Sequence, residues 1–115
     1  IYALCRKTSD ELTKLASASS DKVKIVENID VMKEDVGKDL KTVFGSTPIH
    51  LLIQNAGAYG SATTADGGEV DRSSQTLEKI DAKQMQFAFN LNTVAPLLIT
   101  QALVSNLEVA GGDAK

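Results

Sequence analysis

Three short apolar runs rich in β-forming residues, separated by two stretches of helical periodicity, constrain this chain more than any other feature. Ile1-Tyr2-Ala3-Leu4-Cys5 is the first run, and Thr8-Ser9-Asp10-Glu11 follows it with the S/T-x-x-E pattern that caps a helix by satisfying its free N–H groups. Leu12, Leu15 and Ala16 then recur at helical spacing, and the serines and Asp21 of residues 17–21 compete for backbone hydrogen bonds and end the helix. Residues 23–29 read as a second strand with Asp30 at its end. From Met32, the positions Val36, Leu40, Val43 and Phe44 mark one face of a second amphipathic helix, with Gly45 as its stop signal. Pro48 turns the chain into Ile49-His50-Leu51-Leu52-Ile53, a third apolar strand. This rhythm predicts successive βαβ units, because parallel strands need a helical crossover between them. The expected fold is α/β, a doubly wound parallel sheet with three strands and three helices.

Residues 58–76 are small and polar, with three glycines and little periodicity, and read as a long loop of the kind that forms lids and binding loops. From Ile80 to Leu107 the pattern is helical again, with enough apolar positions to predict burial on more than one side, and Gly111-Gly112 closes it. The 115 residues suit one domain spanning 1–115. A net charge of −3 offers no basic stripe to follow a phosphate backbone, so nucleic acid is not an expected partner. Nor is a membrane, since the uninterrupted apolar runs are far shorter than the roughly 20 residues that span a bilayer. Cys5 alone makes neither an internal disulfide nor a thiolate zinc cluster, and fits a cytoplasmic protein without a metal site. The chain opens on Ile1, directly as an apolar run, so the expectation is an internal stretch of a longer protein.

Ligands of open parallel sheets bind outside the carboxyl ends of the strands. Those ends carry Arg6 and Lys7, then Asp30, then Asn55-Ala56-Gly57. A carboxylate at the ribose-reading strand end bonds a 2′-hydroxyl, whereas an Arg there pairs with a 2′-phosphate through its guanidinium fork. Cys5-Arg6-Lys7 presents cations and no carboxylate; a merely solvated strand end would do the same. Asp30 could equally cap the helix that begins near Met32. Small residues at 56 and 57 admit close approach of a large group, or make a tight turn. His50, with no second ligand or nucleophile near it in sequence, reads as structural. Met85, Phe87 and Phe89 read as core or subunit contacts, and Cys5 as a small hydrophobe.

Leu51-Leu52-Ile53-Gln54-Asn55-Ala56-Gly57 followed by Phe89-Asn90-Leu91-Asn92-Thr93-Val94-Ala95-Pro96-Leu97-Leu98 resembles the short-chain dehydrogenase/reductase family. The family's N-N-A-G stands here as Gln54-Asn55-Ala56-Gly57, and its V-N-x-x-G-P as Leu91-Asn92-Thr93-Val94-Ala95-Pro96. The resemblance covers the stretch from the family's second strand to the long helix before its fifth strand. It implies a partial NAD(P)-binding Rossmann domain, with NADP in preference to NAD. Arg6 then matches the basic residue of NADP-preferring members, Asp30 the residue that contacts adenine, and Asn55, Ala56 and Gly57 the cofactor-lining turn. Asn92 matches the family's catalytic Asn, which holds a water in the proton relay.

The family's Gly-rich T-G-x-x-x-G-x-G turn has no counterpart here, and neither Tyr2 nor Tyr59 is followed by Lys four residues on, as the catalytic Tyr-x-x-x-Lys requires. The expectation is a fragment of an NADP(H)-dependent oxidoreductase acting on a small carbonyl or alcohol substrate, homo-oligomeric when full length. The alternative is a non-catalytic nucleotide-binding or interaction module derived from a dehydrogenase.

Overall fold

The computed structural model describes residues 1–58 and 76–112; apart from its two end residues, the long loop expected at 58–76 lies outside the described residues. Strands β1 (Tyr2–Leu4) and β2 (Lys24–Val26) pair in parallel, with Tyr2 opposite Lys24, Ala3 opposite Ile25 and Leu4 opposite Val26. The ladder reaches one residue further at each end of β1, where Lys24 N–H bonds the Ile1 carbonyl at 2.8 Å and Cys5 N–H bonds the Val26 carbonyl at 3.0 Å. β2 is shorter than the apolar run that encodes it, because Asn28 takes a left-handed conformation at φ 64° and turns the chain out of line.

Helix α1 (Asp10–Ala18) crosses from β1 to β2. Its cap is Ser9, whose Oγ accepts the Leu12 N–H at 3.2 Å. Thr8, the first residue of the predicted capping pattern, is drawn elsewhere: its N–H donates to Glu27 Oε1 at 2.7 Å. Helix α2 (Val36–Phe44) starts one turn later than the periodicity from Met32 predicts, since Asp30 Oδ1 accepts the Met32 N–H at 2.9 Å and folds residues 30–32 into a turn. Asp30 is therefore not the cap of α2. Helix α3 (Ala82–Phe89), capped by Asp81, runs through a π-helical turn (Asn90–Val94) into α4 (Ala95–Val109), one rod of 28 residues.

Two expectations need correction. Residues 49–53 form no strand among the described residues, so the sheet has two strands and not three. A strand exists only as one side of a ladder, and no described residue pairs with this segment. The long helix is not buried on several sides. α4 buries one stripe, Ala95, Ile99, Leu103 and Asn106, while Leu97, Val104 and Val109 stay exposed. The rod is long and apolar enough by length and composition to cross a membrane, but that stripe packs on α2. Val36, Leu40 and Phe44, spaced four apart on α2, meet Ile99 and Leu103, with Ile29 from the end of β2 completing the core. The Tyr2 ring meets Phe44 edge to face at 5.0 Å between centroids, which seats the sheet on α2.

Among the described residues, Asn106 is the buried polar side chain of this interior. Its Nδ2 donates to the carbonyls of Gly45 at 3.0 Å and Thr47 at 2.8 Å, and its own carbonyl accepts the Ile49 N–H at 3.0 Å. The turn leaving α2 is thereby clamped to α4.

The described residues bury only seven apolar side chains, while Ile1 and Ile53 are 84% and 74% exposed. That is a small core to set against the ordering entropy of the chain. The 115 residues expressed alone should give poorly dispersed amide resonances and a broad thermal transition; a single sharp calorimetric peak would contradict this.

Candidate functional site

Parallel pairing brings the carboxyl ends of β1 and β2 to the same edge of the sheet. Beyond the ladder the two exits stay coupled: Ile29 N–H bonds the Cys5 carbonyl at 3.1 Å and Asn28 N–H bonds the Arg6 carbonyl at 3.3 Å. A cavity of about 410 Å³ opens at this edge. Its walls come from Leu4, Cys5 and Arg6 after β1, Ile29 to Met32 after β2, Ala56 to Ala58 after the third apolar run, and Phe87 and Leu91 of the rod. The volume suits part of a cofactor-sized ligand.

Of the residues singled out by sequence, Arg6, Asp30, Ala56 and Gly57 meet in this cavity. Asn55 does not line it; it faces the neighbouring slot between β1 and residues 49–55. Asn92 lies behind the wall. Its Oδ1 accepts the Ala58 N–H at 3.1 Å and its Nδ2 donates to the Ala58 carbonyl at 2.8 Å, so one side chain fixes both backbone groups of the loop end. His50 is exposed and takes no part.

The rod is shaped for that clamp. Pro96 has no N–H, so the Asn92 carbonyl loses the donor it would meet one turn later. The backbone answers with the π turn, in which Ala95 N–H reaches back five residues to the Asn90 carbonyl. Gln54, the residue that departs from the family's N-N-A-G, donates from Nε2 to the Pro96 carbonyl and to Thr100 Oγ1, each at 3.0 Å. The loop over residues 54–58 is thus pinned to the rod at both ends.

Phe87 and Leu91 line the cavity although helical spacing marked Phe87 and its neighbours as core or subunit contacts, and Cys5 and Met32 line it without having been singled out for it. A signal for Phe87 and Leu91 did exist: they stand four apart and point with the rod's inner side toward the loop that Asn92 holds.

Glu27 organises the cationic exit of β1. Its carboxyl is held below the usual carboxylate range by the Thr8 hydroxyl first, then by the Thr8 N–H, with Lys7 adding a weaker attraction and desolvation opposing. Thr8 directly follows Arg6 and Lys7, so this bond ties the segment leaving β1 to the end of β2.

Carbonyl reductases of solved structure superpose on this fold. One from Pseudomonas aeruginosa PAO1 superposes at TM-score 0.72 with 28% identity, over 91% of this chain and 43% of that one. The same reductase in complex with NADP gives 0.73 and 28%, over 91% and 43%. The NADPH-bound carbonyl reductase from chicken fatty liver gives 0.67 and 27%, over 93% and 40%. This chain spans about two fifths of their length. No family model matches it, and no curated protein sequence does. Cavity and fold define a Rossmann-type site at the carboxyl edge of a parallel sheet. The resemblance to the short-chain dehydrogenase/reductases that the motifs carry holds in three dimensions.

A Cβ at Gly57 would stand 3.1 Å from Asn92 Oδ1, closer than comfortable contact. Gly57→Ala should therefore displace the Asn92 amide and loosen Ala58, read as faster exchange of the Ala58 amide proton, while Ala56→Gly leaves that proton unchanged.

The sign of the Glu27 effect follows from its lowered pKa. The Thr8 contact is fully present above the carboxyl's ordinary, unfolded value and is lost as pH falls through the lower folded value. In an acid titration followed by NMR, the Thr8 amide should shift with Glu27 in that window, and Glu27→Gln should flatten the curve.

Proposed function

We propose that this chain forms the adenosine and ribose side of an NADP(H)-dependent oxidoreductase that moves a hydride between the nicotinamide and a carbonyl or alcohol carbon. The observation that carries the reading is the convergence of Arg6, Asp30, Ala56 and Gly57 on one cavity at the carboxyl edge of the sheet. The carbonyl reductases that superpose on the chain include forms bound to NADP and NADPH, which supports the cofactor class.

The residues present fit such a group. Leu4, Ile29, Val31, Phe87 and Leu91 give the cavity apolar walls suited to a flat aromatic base. Asp30 spends one carboxylate oxygen on the Met32 N–H and has the second for the adenine amino group. Arg6, at the exit of β1, pairs its planar fork with the 2′-phosphate. Ala56 and Gly57, with Asn55 before them, keep the backbone low enough for the ribose to approach. The bound nicotinamide supplies the hydride chemistry. Asn92 takes the relay position: its side chain is committed to Ala58, so holding a water falls to its backbone carbonyl, which Pro96 leaves without its helical donor. The intact protein is proposed as a cytoplasmic homo-oligomer, with the exposed Met85, Phe89 and Leu97 of the rod available for subunit contact.

A charge-assisted bond from Arg6 to the 2′-phosphate is worth about 1.5–3 kcal/mol, or roughly a tenfold to hundredfold preference. In the intact enzyme, Arg6→Ala should raise the Michaelis constant for NADPH by that factor and leave the constant for NADH nearly unchanged. Equal effects on both would refute the assignment of Arg6, and absence of any binding of either nucleotide would refute the reading as a whole.

A further inference from the structure

Ser9 is the one serine or threonine in the sequence with cations both three and two residues before it, in Arg6-Lys7-Thr8-Ser9. It lies between β1 and α1, where residues 5–9 belong to no helix or strand and the Ser9 backbone is extended at φ −96° and ψ 160°. Arg6, Lys7 and Ser9 are exposed. Thr8 is half-buried and committed: its N–H donates to Glu27 Oε1 at 2.7 Å, and its hydroxyl holds the same carboxyl. Ser9 has lighter contacts. Its Oγ accepts the Leu12 N–H at 3.2 Å, and its hydroxyl bonds the carboxyl of Glu11, itself exposed. Arg6 also lines the cavity at the carboxyl edge of the sheet, three residues before this hydroxyl.

We infer that Ser9 is a phosphorylation site for a basophilic serine kinase, and that phosphate there takes the Arg6 guanidinium from the 2′-phosphate of NADP(H). An exposed serine on extended backbone suits the groove of a kinase that reads, by charge, the cations ahead of its target. In the transfer, Ser9 Oγ bonds the γ-phosphorus of ATP and the bond from that phosphorus to the β,γ-bridging oxygen breaks. ADP leaves, and the hydroxyl proton passes to the kinase's catalytic carboxylate. The modified side chain carries a charge of about −1.5 to −2 at neutral pH. Asp10 and Glu11 repel it from the helix side, whereas Arg6 and Lys7 attract it from the other. Three residues of extended chain span at most about 11 Å, a gap that a guanidinium and a phosphoserine close between them. Phosphoserine and the 2′-phosphate are both phosphate monoesters, and the planar fork of Arg6 suits either. The competitor is tethered, so its local concentration is high. NAD(H) has a hydroxyl in place of that phosphate and is not displaced. The inference rests on Arg6 binding the 2′-phosphate and adds how that contact is controlled.

In the test, the intact enzyme is incubated with ATP and the catalytic subunit of cyclic-AMP-dependent protein kinase, and the modified residue is located by tandem mass spectrometry. Ser9 should take the phosphoryl group. Ser9→Asn, which keeps a side-chain cap on α1, should take none in this segment. Phosphorylation should raise the Michaelis constant for NADPH roughly tenfold or more and leave that for NADH nearly unchanged, because a charge-assisted pair is lost to one nucleotide only. Phosphatase should restore the original constant, and kinase-treated Ser9→Asn should keep it. Phosphate confined to Thr8, or none in the segment, would overturn the inference. So would phosphate on Ser9 with the two constants unchanged, or raised equally, in an enzyme whose NADPH constant responds to Arg6→Ala. An enzyme whose NADPH constant ignores Arg6→Ala removes the cofactor assignment of Arg6 and this inference with it, so the two failures are told apart.

Discussion

Parallel strands cannot be joined by a tight turn, and that constraint organises everything at the functional edge of this molecule. Leaving β1 at Leu4, the chain must travel back along the sheet before β2 can begin, and α1 is the return path. Both strands consequently release the chain at the same edge, which is why Arg6 and Asp30 share a cavity though they stand 24 positions apart. The three-residue ladder is short, so the alignment of the exits is reinforced beyond it by the bonds from Asn28 and Ile29 to Arg6 and Cys5. A charge-assisted bond adds to the same geometry, because the Glu27 carboxylate accepts the Thr8 N–H and ties the exit of β1 to the end of β2.

The third wall of the cavity obeys a different constraint, the missing N–H of Pro96. Proline inside a helix removes one hydrogen bond and clashes with the carbonyl one turn before it. Widening the preceding turn to π relieves that crowding and sets Asn92 at the place where its amide can bond both backbone groups of Ala58. Gln54 uses the carbonyl of the same proline as its acceptor. One residue without a donor therefore fixes the loop that closes the site, and the small side chains at 56 and 57 are the complement: Gly57 approaches Asn92 too closely to carry a Cβ in comfort.

How much of this is legible in the sequence depends on the range of the interaction. α2 follows from Val36, Leu40 and Phe44 and the stop at Gly45, because one face of a helix is a local property. The strand exits and their residues are legible for the same reason. Thr8 as a cap is misread, since the contact that removes it comes from Glu27, 19 residues away. Asn106 reads as an ordinary polar residue of a helix, yet it is buried and clamps Gly45 and Thr47 across 61 and 59 positions. Leu51 and Ile53 have every local mark of a strand and still do not form one, because pairing is a relation between two segments and local pattern describes only one. The over-reading of the rod has a related cause. Leu97 and Val104 are as apolar as Ile99 and Leu103, and only the position of α2 decides which of them is buried.

Binding and folding draw on different parts of this chain, and the division is visible in where its apolar surface lies. Among the described residues, each strand exit, the loop and the rod contribute a side to the carboxyl-edge cavity. In the sheet beneath, β1 is bonded to described residues on one side only and residues 51–53 on neither. Leu4, Ile29, Val31 and Ala56 line both openings, so the floor of the site and the flank of the slot are the same residues. The residues that a ligand would meet at the carboxyl edge are therefore backed, among the described residues, by an open face of the sheet and not by a neighbouring strand.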